Sequence, residues 1–193
     1  MVDTAEVARQ SQSGAVPRRV VRRATRGDAD ALEVVWRHLH PIMLRFVASL
    51  GVRDPEDIAS QVWLEVARGL PSFDGDGDDL KRLVLTIARR RVIDARRSES
   101  RRDVHFAAYA PVVVDHGDPV DEVVALANAQ ALLRALPAAQ AEVIALRVIG
   151  GFSAKETAQI TGQSEGAVRV MMARALRKLR ELLAQNADAQ RAG

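Results

Sequence analysis

Ser153 and Glu156 stand three residues apart ahead of a short amphipathic run, and this spacing restricts the fold more than any other feature of the chain. It is the S-x-x-E capping box, in which the serine side chain accepts from an amide one turn on and the glutamate reaches back to the serine amide. The pattern predicts a helix over Ser153–Thr161, with the small residue Ala158 on it. Gly162 follows, and glycine tolerates the backbone of a tight turn. A second helix is then predicted from Glu165 to Leu183, capped by Ser164 and anchored by Val168 and Met171. A small residue, a turn glycine and two apolar anchors, in that order, are what a helix-turn-helix requires. The small residue lets the second helix cross closely, and the anchors fix its angle. Gln163 departs from the pattern, because the position after the turn glycine is often apolar.

In such a motif the N-terminal end of the second helix enters the major groove of DNA. Here that end is Ser164, Glu165, Gly166 and Ala167, followed by Arg169, Val170, Arg174, Arg177 and Lys178, with Lys155 on the helix before it. From Ser153 to Leu183, six Lys and Arg stand against three Glu, a net of +3. Spacing alone leaves two readings open: a DNA-contacting helix, or a helical hairpin with a solvated basic face.

Composition agrees with packed helices. Apolar residues make up 48% of the 193 and aromatics only 4%, and Ala and Leu lose little on entering a helix. There is no cysteine, which excludes disulfides, thiolate metal sites and thiol redox sensing within this chain. No apolar run approaches the roughly 18 residues of a membrane span. Met1 to Gly14 lacks the apolar stretch of a signal peptide. A cytoplasmic protein without membrane insertion is expected.

The predicted fold is all-α: two small helical domains joined by a flexible linker. Residues 1–17 read as a disordered tail. The first domain, 18–102, holds a helix capped by Asp28, and Pro41 starts or kinks the next, which ends at Gly51. Asp54-Pro55-Glu56-Asp57 is a strong helix start, with a cap, a proline in the first turn and acids facing the dipole. Ile58, Val62 and Val66 with Ala59 and Trp63 form its apolar stripe, and Gly69 and Pro71 end it. A last helix is expected over Asp79–Arg97, with Leu80, Leu83, Val84, Ile87 and Ala88 inward. The stretch 103–120 holds Pro111, Gly117 and Pro119, and suits a linker better than a loop inside a domain. Its Val112–Val114 run is a possible short strand. The second domain, 121–183, reads as four helices: Asp121–Leu136, Ala138–Ile149, Ser153–Thr161 and Glu165–Leu183. Residues 184–193 read as a second disordered tail.

A second basic cluster lies in the first domain. Arg89, Arg90, Arg91, Arg96, Arg97, Arg101 and Arg102 stand against Asp94 and Glu99, a net of +5. Guanidinium groups make bidentate contacts to phosphates and guanine edges. A helix end whose cations favour the dipole is the alternative. Two basic helices in two domains suggest two contacts along one nucleic acid.

At this point the chain resembles the extracytoplasmic-function (group IV) RNA polymerase sigma factors. Pro55 to Val66 and Leu85 to Asp94 carry the likeness in the first domain. Leu136 to Arg147, Gly151 to Ala158, Ser164 to Met171 and Arg174 to Arg180 carry it in the second. The resemblance implies a first domain that grips the polymerase clamp through Asp57, Ser60, Gln61, Leu64 and Arg68, and meets the −10 element through Arg89, Arg90, Arg91, Asp94, Arg96 and Arg97. It implies a second domain that reads the −35 element through the helix-turn-helix residues named above. The linker, with Asp103, Asp115 and Asp118, would thread toward the polymerase active centre. Core RNA polymerase, promoter DNA and a dedicated anti-sigma factor are the implied partners. Ser60-Gln61 stands where the family usually has Gln-Glu, Leu83 where a Trp is frequent, Arg90 where an Asn is frequent, and Ala173 where a His is frequent. A DNA-binding regulator that works without polymerase is the competing function, and a decoy that sequesters another factor is a third.

No catalytic residue, cofactor, metal or small-molecule substrate is expected. Asp74–Asp79 resembles the start of a calcium loop, but its twelfth position is Leu85 rather than an acid. His38 and His40 point to nearly opposite sides of a helix, so they cannot share a metal there. His105 and His116 are isolated, and no Walker or Rossmann pattern is present.

Overall fold

In the computed structural model, residues 15–100 and 131–192 are described, and they contain helices and turns with no strand among them. The first block holds α1 (Arg18–Ala24), α2 (Ala29–Ser49), α3 (Pro55–Gly69) and α4 (Gly77–Ser100). The second holds α5 (Ala138–Ile144), α6 (Ala154–Thr161) and α7 (Glu165–Ala192). The linker 103–120, its three acids, the Val112–Val114 run, His105 and His116 lie outside the described residues, as does most of the Asp121–Leu136 helix.

The helix starts follow the sequence. Asp28 caps α2 by accepting from the Ala31 amide at 3.0 Å, and Asp54 caps α3 by accepting from Asp57 at 3.0 Å. Pro41 neither starts a helix nor ends one, because α2 runs unbroken from Ala29 to Ser49. Leu39, Met43, Phe46 and Val47, buried on both sides of the proline, hold the helix across it. The core of the first block is a packed set of α2, α3 and α4 side chains, with Phe46, Met43, Val62 and Leu80 fully buried.

Three boundaries differ from the sequence reading. α4 begins at Gly77, two residues before Asp79. Asp76 caps it, accepting from the amides of Asp78 and Asp79 at 3.0 Å each, while Asp79 accepts in turn from the Asp76 amide at 3.3 Å. These bonds hold the Asp76 carboxyl below its ordinary pKa. The acid-rich loop is therefore a reciprocal helix cap. The assigned tail 1–17 also reaches too far, since Val16 is buried and its chain crosses directly over Gly77. A Cβ at Gly77 would lie 2.0 Å from the Val16 carbonyl oxygen, which is why glycine stands there. At the other end, α7 continues to Ala192, well past Leu183. The residues after Leu183 are mainly Ala and Gln with no Gly or Pro before Gly193, so nothing in the sequence breaks the helix.

In the second block, α5 passes into a wide π-turn over Ala145–Ile149, closed by the Gly150 amide donating to Ala145 at 3.1 Å. The two blocks pack on one another. Leu136, Ala141, Ile144, Leu146 and Phe152 join the same buried cluster as the α2 and α4 side chains.

Candidate nucleic-acid interface

The helix-turn-helix is built as its spacing requires. Ser153 Oγ accepts from the Glu156 amide at 3.2 Å, and Glu156 accepts from the Ser153 amide at 2.9 Å, completing the capping box. Gly162 ends α6 with φ +70°, the left-handed conformation that glycine adopts without strain. Ser164 then caps α7 by accepting from the Ala167 amide at 3.1 Å. Val168 is fully buried against Ala158 and Val143, with Met171 and Met172 packed around them, and this small cluster sets the angle between α6 and α7.

That angle presents the tip of α7 outward. Ser164 and Gly166 are exposed and Glu165 and Ala167 half-exposed, and behind them Arg169 is 70% and Val170 49% exposed. Arg169 pairs with Glu165 one turn back. Arg174, Arg177, Lys178 and Lys155 are exposed, with Lys178 near Glu181 at 3.7 Å. The predicted −35 residues are thus all exposed or half-exposed. Gln163 is half-exposed and its amide bonds to the Ala158 carbonyl at 3.0 Å, so its polar side chain is compatible with the turn.

The residues predicted to face the polymerase clamp also share a face. Asp57, Ser60, Gln61, Leu64 and Arg68 recur at helical spacing on the side of α3 away from Ile58, Val62 and Val66. Leu64 is 59% exposed, and Gln61 Nε2 donates to Asp57 at 2.8 Å. One edge of this face meets α2, where Trp63 Nε1 donates to His40 Nδ1 at 3.0 Å and Trp36 stacks on His40 at 4.6 Å. Burial lowers the His40 pKa, which keeps Nδ1 an acceptor.

The arginines of α4 do not form one face. Arg90, Asp94 and Arg97 line a groove of about 780 Å³ between α3 and α4, and Arg68 lines it from the other wall. Glu65, on the edge of α3, accepts from both Arg90 and Arg91, the latter at 2.8 Å. Those bonds, Arg90 first, hold the Glu65 carboxyl below its usual range. Arg89 lines the same groove, and its Nε donates to Glu142 of α5 at 2.7 Å. Arg96 reaches the Leu50 carbonyl oxygen. Sequence reading grouped these arginines and missed the acids that hold them, because Glu65 and Glu142 lie 25 and 53 residues away.

The chain matches the family Sigma-70 region 2 over residues 35–102 and the family Sigma-70, region 4 over residues 126–179. These two modules, in this order, define an RNA polymerase sigma factor. Among curated relatives it is 34% identical to the ECF RNA polymerase sigma factor ShbA of Streptomyces griseus subsp. griseus, over 86% of this chain and 94% of that one. It is 33% identical to the ECF RNA polymerase sigma factor SigD of Mycobacterium tuberculosis (strain H37Rv), over 88% of this chain and 84% of that one. A solved neighbour is the sigma factor RpoE in complex with the anti-sigma factor NepR from Bartonella quintana, at 26% identity and a TM-score of 0.66, covering 77% of this chain and 94% of that one. The chain belongs to the ECF RNA polymerase sigma factors.

Proposed function

We propose that this chain is a group IV sigma factor that binds core RNA polymerase through the exposed face of α3 and directs initiation at promoters whose −35 element is read by the tip of α7. The observation that carries this reading is the pairing, in one chain, of an outward helix-turn-helix tip with a separate exposed α3 face centred on Leu64. Lys155, Ser164 to Ala167, Arg169, Val170, Arg174, Arg177 and Lys178 serve the −35 contact. Arg89, Arg90, Asp94 and Arg97, along the α3–α4 groove, serve the −10 contact together with Arg91 and Arg96, once the groups that now hold these arginines release them. The protein does no chemistry of its own. It works in the cytoplasm with the polymerase, and no described helix is long and apolar enough to cross a membrane. Control by an anti-sigma factor is supported by the solved neighbour, which holds one.

The test is promoter-directed transcription and gel shift with purified chain, with and without core polymerase. Specific initiation only when both are present is expected. Tight duplex binding by the chain alone, with no effect on polymerase, would instead mark a regulator that occupies operators.

A further inference from the structure

Arg82, Arg89 and Arg96 recur every seven residues on α4. At 3.6 residues per turn they form one stripe along the helix. The stripe runs along the seam with the second block. Arg82 Nη2 donates to Glu156 at 2.7 Å, and Arg89 Nε donates to Glu142 at 2.7 Å with Nη2 at 3.4 Å. Beside them Lys81 Nζ sits 5.3 Å from the centre of the Phe152 ring. Arg96 lies at the end of the stripe and lines a groove of about 560 Å³ with Ser49, Leu50, Leu133, Arg134 and Leu136. Each acid comes from a different helix of the second block, Glu142 from α5 and Glu156 from α6.

The seam is polar along this stripe and apolar beside it. An unfilled groove lies within it, and Arg82 Nε is buried with no acceptor. The Arg82–Glu156 pair is about one-third exposed on each side, so water and salt weaken it. What the carboxylates hold is a row of guanidinium groups, and the other common bidentate partner of guanidinium is phosphate. The apolar contacts set the two blocks side by side. The acids decide what the arginine stripe can bind.

We infer that Glu142 and Glu156 act as an internal substitute for DNA phosphate, docking the second block on the arginine stripe of α4 so that the free chain and the −10 strand compete for the same guanidinium groups. This rests on the sigma-factor reading above. It makes Arg82, outside the predicted −10 set, part of the surface that promoter DNA uncovers. It also makes opening a requirement for −10 contact and not for −35 contact, because the α7 tip is already exposed in the docked arrangement.

The experiment uses the full chain carrying Glu142→Gln and Glu156→Gln. These changes keep size and, at position 156, a side chain that can still accept from the Ser153 amide. Because the chain lacks cysteine, dyes can be placed at Asp74→Cys and Gln159→Cys, both exposed and outside the contacts at issue. The double glutamine variant should show lower energy transfer than the wild type. It should bind a 20-nucleotide single strand carrying the −10 sequence of a promoter used by the holoenzyme at least five-fold more tightly. In the wild type, transfer should fall as salt rises from 0.05 to 0.5 M. Glu142→Arg should open the chain further, and adding Arg89→Glu should restore transfer, which a general loss of folding would not do. Transcription by holoenzyme reconstituted with the double glutamine variant should stay within two-fold of wild type, since the polymerase imposes the open arrangement. Unchanged transfer and strand affinity in the glutamine variant, with an active holoenzyme, would overturn the inference and leave the sigma-factor reading intact. A wild-type chain that fails to direct core polymerase would overturn that reading instead.

Discussion

Replacing Glu156 by alanine removes two interactions at once, and the structure assigns each a size. The carboxylate accepts from the Ser153 amide at 2.9 Å as half of the capping box, a contribution of about 1 kcal/mol. It also binds Arg82 at 2.7 Å in a pair whose side chains are 31–32% exposed, which adds about 0.5–1 kcal/mol. The Ser153 hydrogen bonds and then the Arg82 guanidinium lower the Glu156 pKa from 4.5 to about 2. That drop corresponds to about 3 kcal/mol of preference for the ionised form. Water reaches nearly a third of the side chain, so the lower sum of about 1.5–2 kcal/mol is the expected loss at pH 7. Glu156→Gln keeps a cap acceptor and should lose only about 0.5–1 kcal/mol. The folded-state pKa lies below the unfolded one, so this stability is fully present above about pH 4.5 and disappears as pH falls toward 2. Urea unfolding followed by circular dichroism, at steps from pH 7 to pH 3, measures both effects. The gap between wild type and Glu156→Ala should narrow on acidification, with m unchanged. A variant within about 0.3 kcal/mol of wild type at pH 7, well under the size of one cap, or a gap that does not shrink in acid, would refute the reasoning.

Three further outcomes are expected. Gly162→Ala meets no atom within 4 Å, so its cost is the left-handed backbone alone, about 1–2 kcal/mol in urea unfolding, and Gly162→Asn should cost less. Gly77→Ala would drive a Cβ to within 2.0 Å of the Val16 carbonyl oxygen, so limited proteolysis should cut near Val16 much faster than in wild type. Arg169→Ala should weaken binding of the holoenzyme to −35 duplex by about 1–3 kcal/mol at matched salt, and an unchanged affinity would remove it from the contact surface.

Local chemistry was legible and long-range pairing was not. The caps at Asp28, Asp54 and Ser153, the turn at Gly162 and the buried stripe of α3 follow from spacings of two to four residues, where sequence neighbours are spatial neighbours. The outward surfaces of α3 and α7 are the complements of those buried stripes and were readable for the same reason. Asp76 was missed as a cap because alternating Asp and Gly look like loop until a carboxylate is seen to meet two amides. Val16 was missed because a lone valine has no periodicity, and its docking depends on a glycine 61 positions on in the chain. Pro41 starts no helix, since buried neighbours on both sides outweigh one missing amide. The arginines of α4 form a charge run in sequence, but in space Glu65 holds Arg90 and Arg91 while Glu142 of the second block holds Arg89. Net charge counted along the chain could not show that division.

The length of α7 has a mechanical consequence. Its 28 residues span about 42 Å, and Ala175 is the last fully buried side chain described on it. Packing holds α7 from Val168 through Ala175 to the half-buried Leu179, and Ala175 serves as the reference point for its two arms. The DNA-facing end reaches about 15 Å to one side of Ala175 and the other end about 25 Å to the opposite side. A sideways displacement of the far end by about 5 Å swings the near end by about 3 Å, as much as a whole hydrogen-bond length. Leu183, 52% exposed on the longer arm, gives any apolar partner a place to push. Pressure applied there would redirect the tip of the helix without touching Ser164 to Ala167.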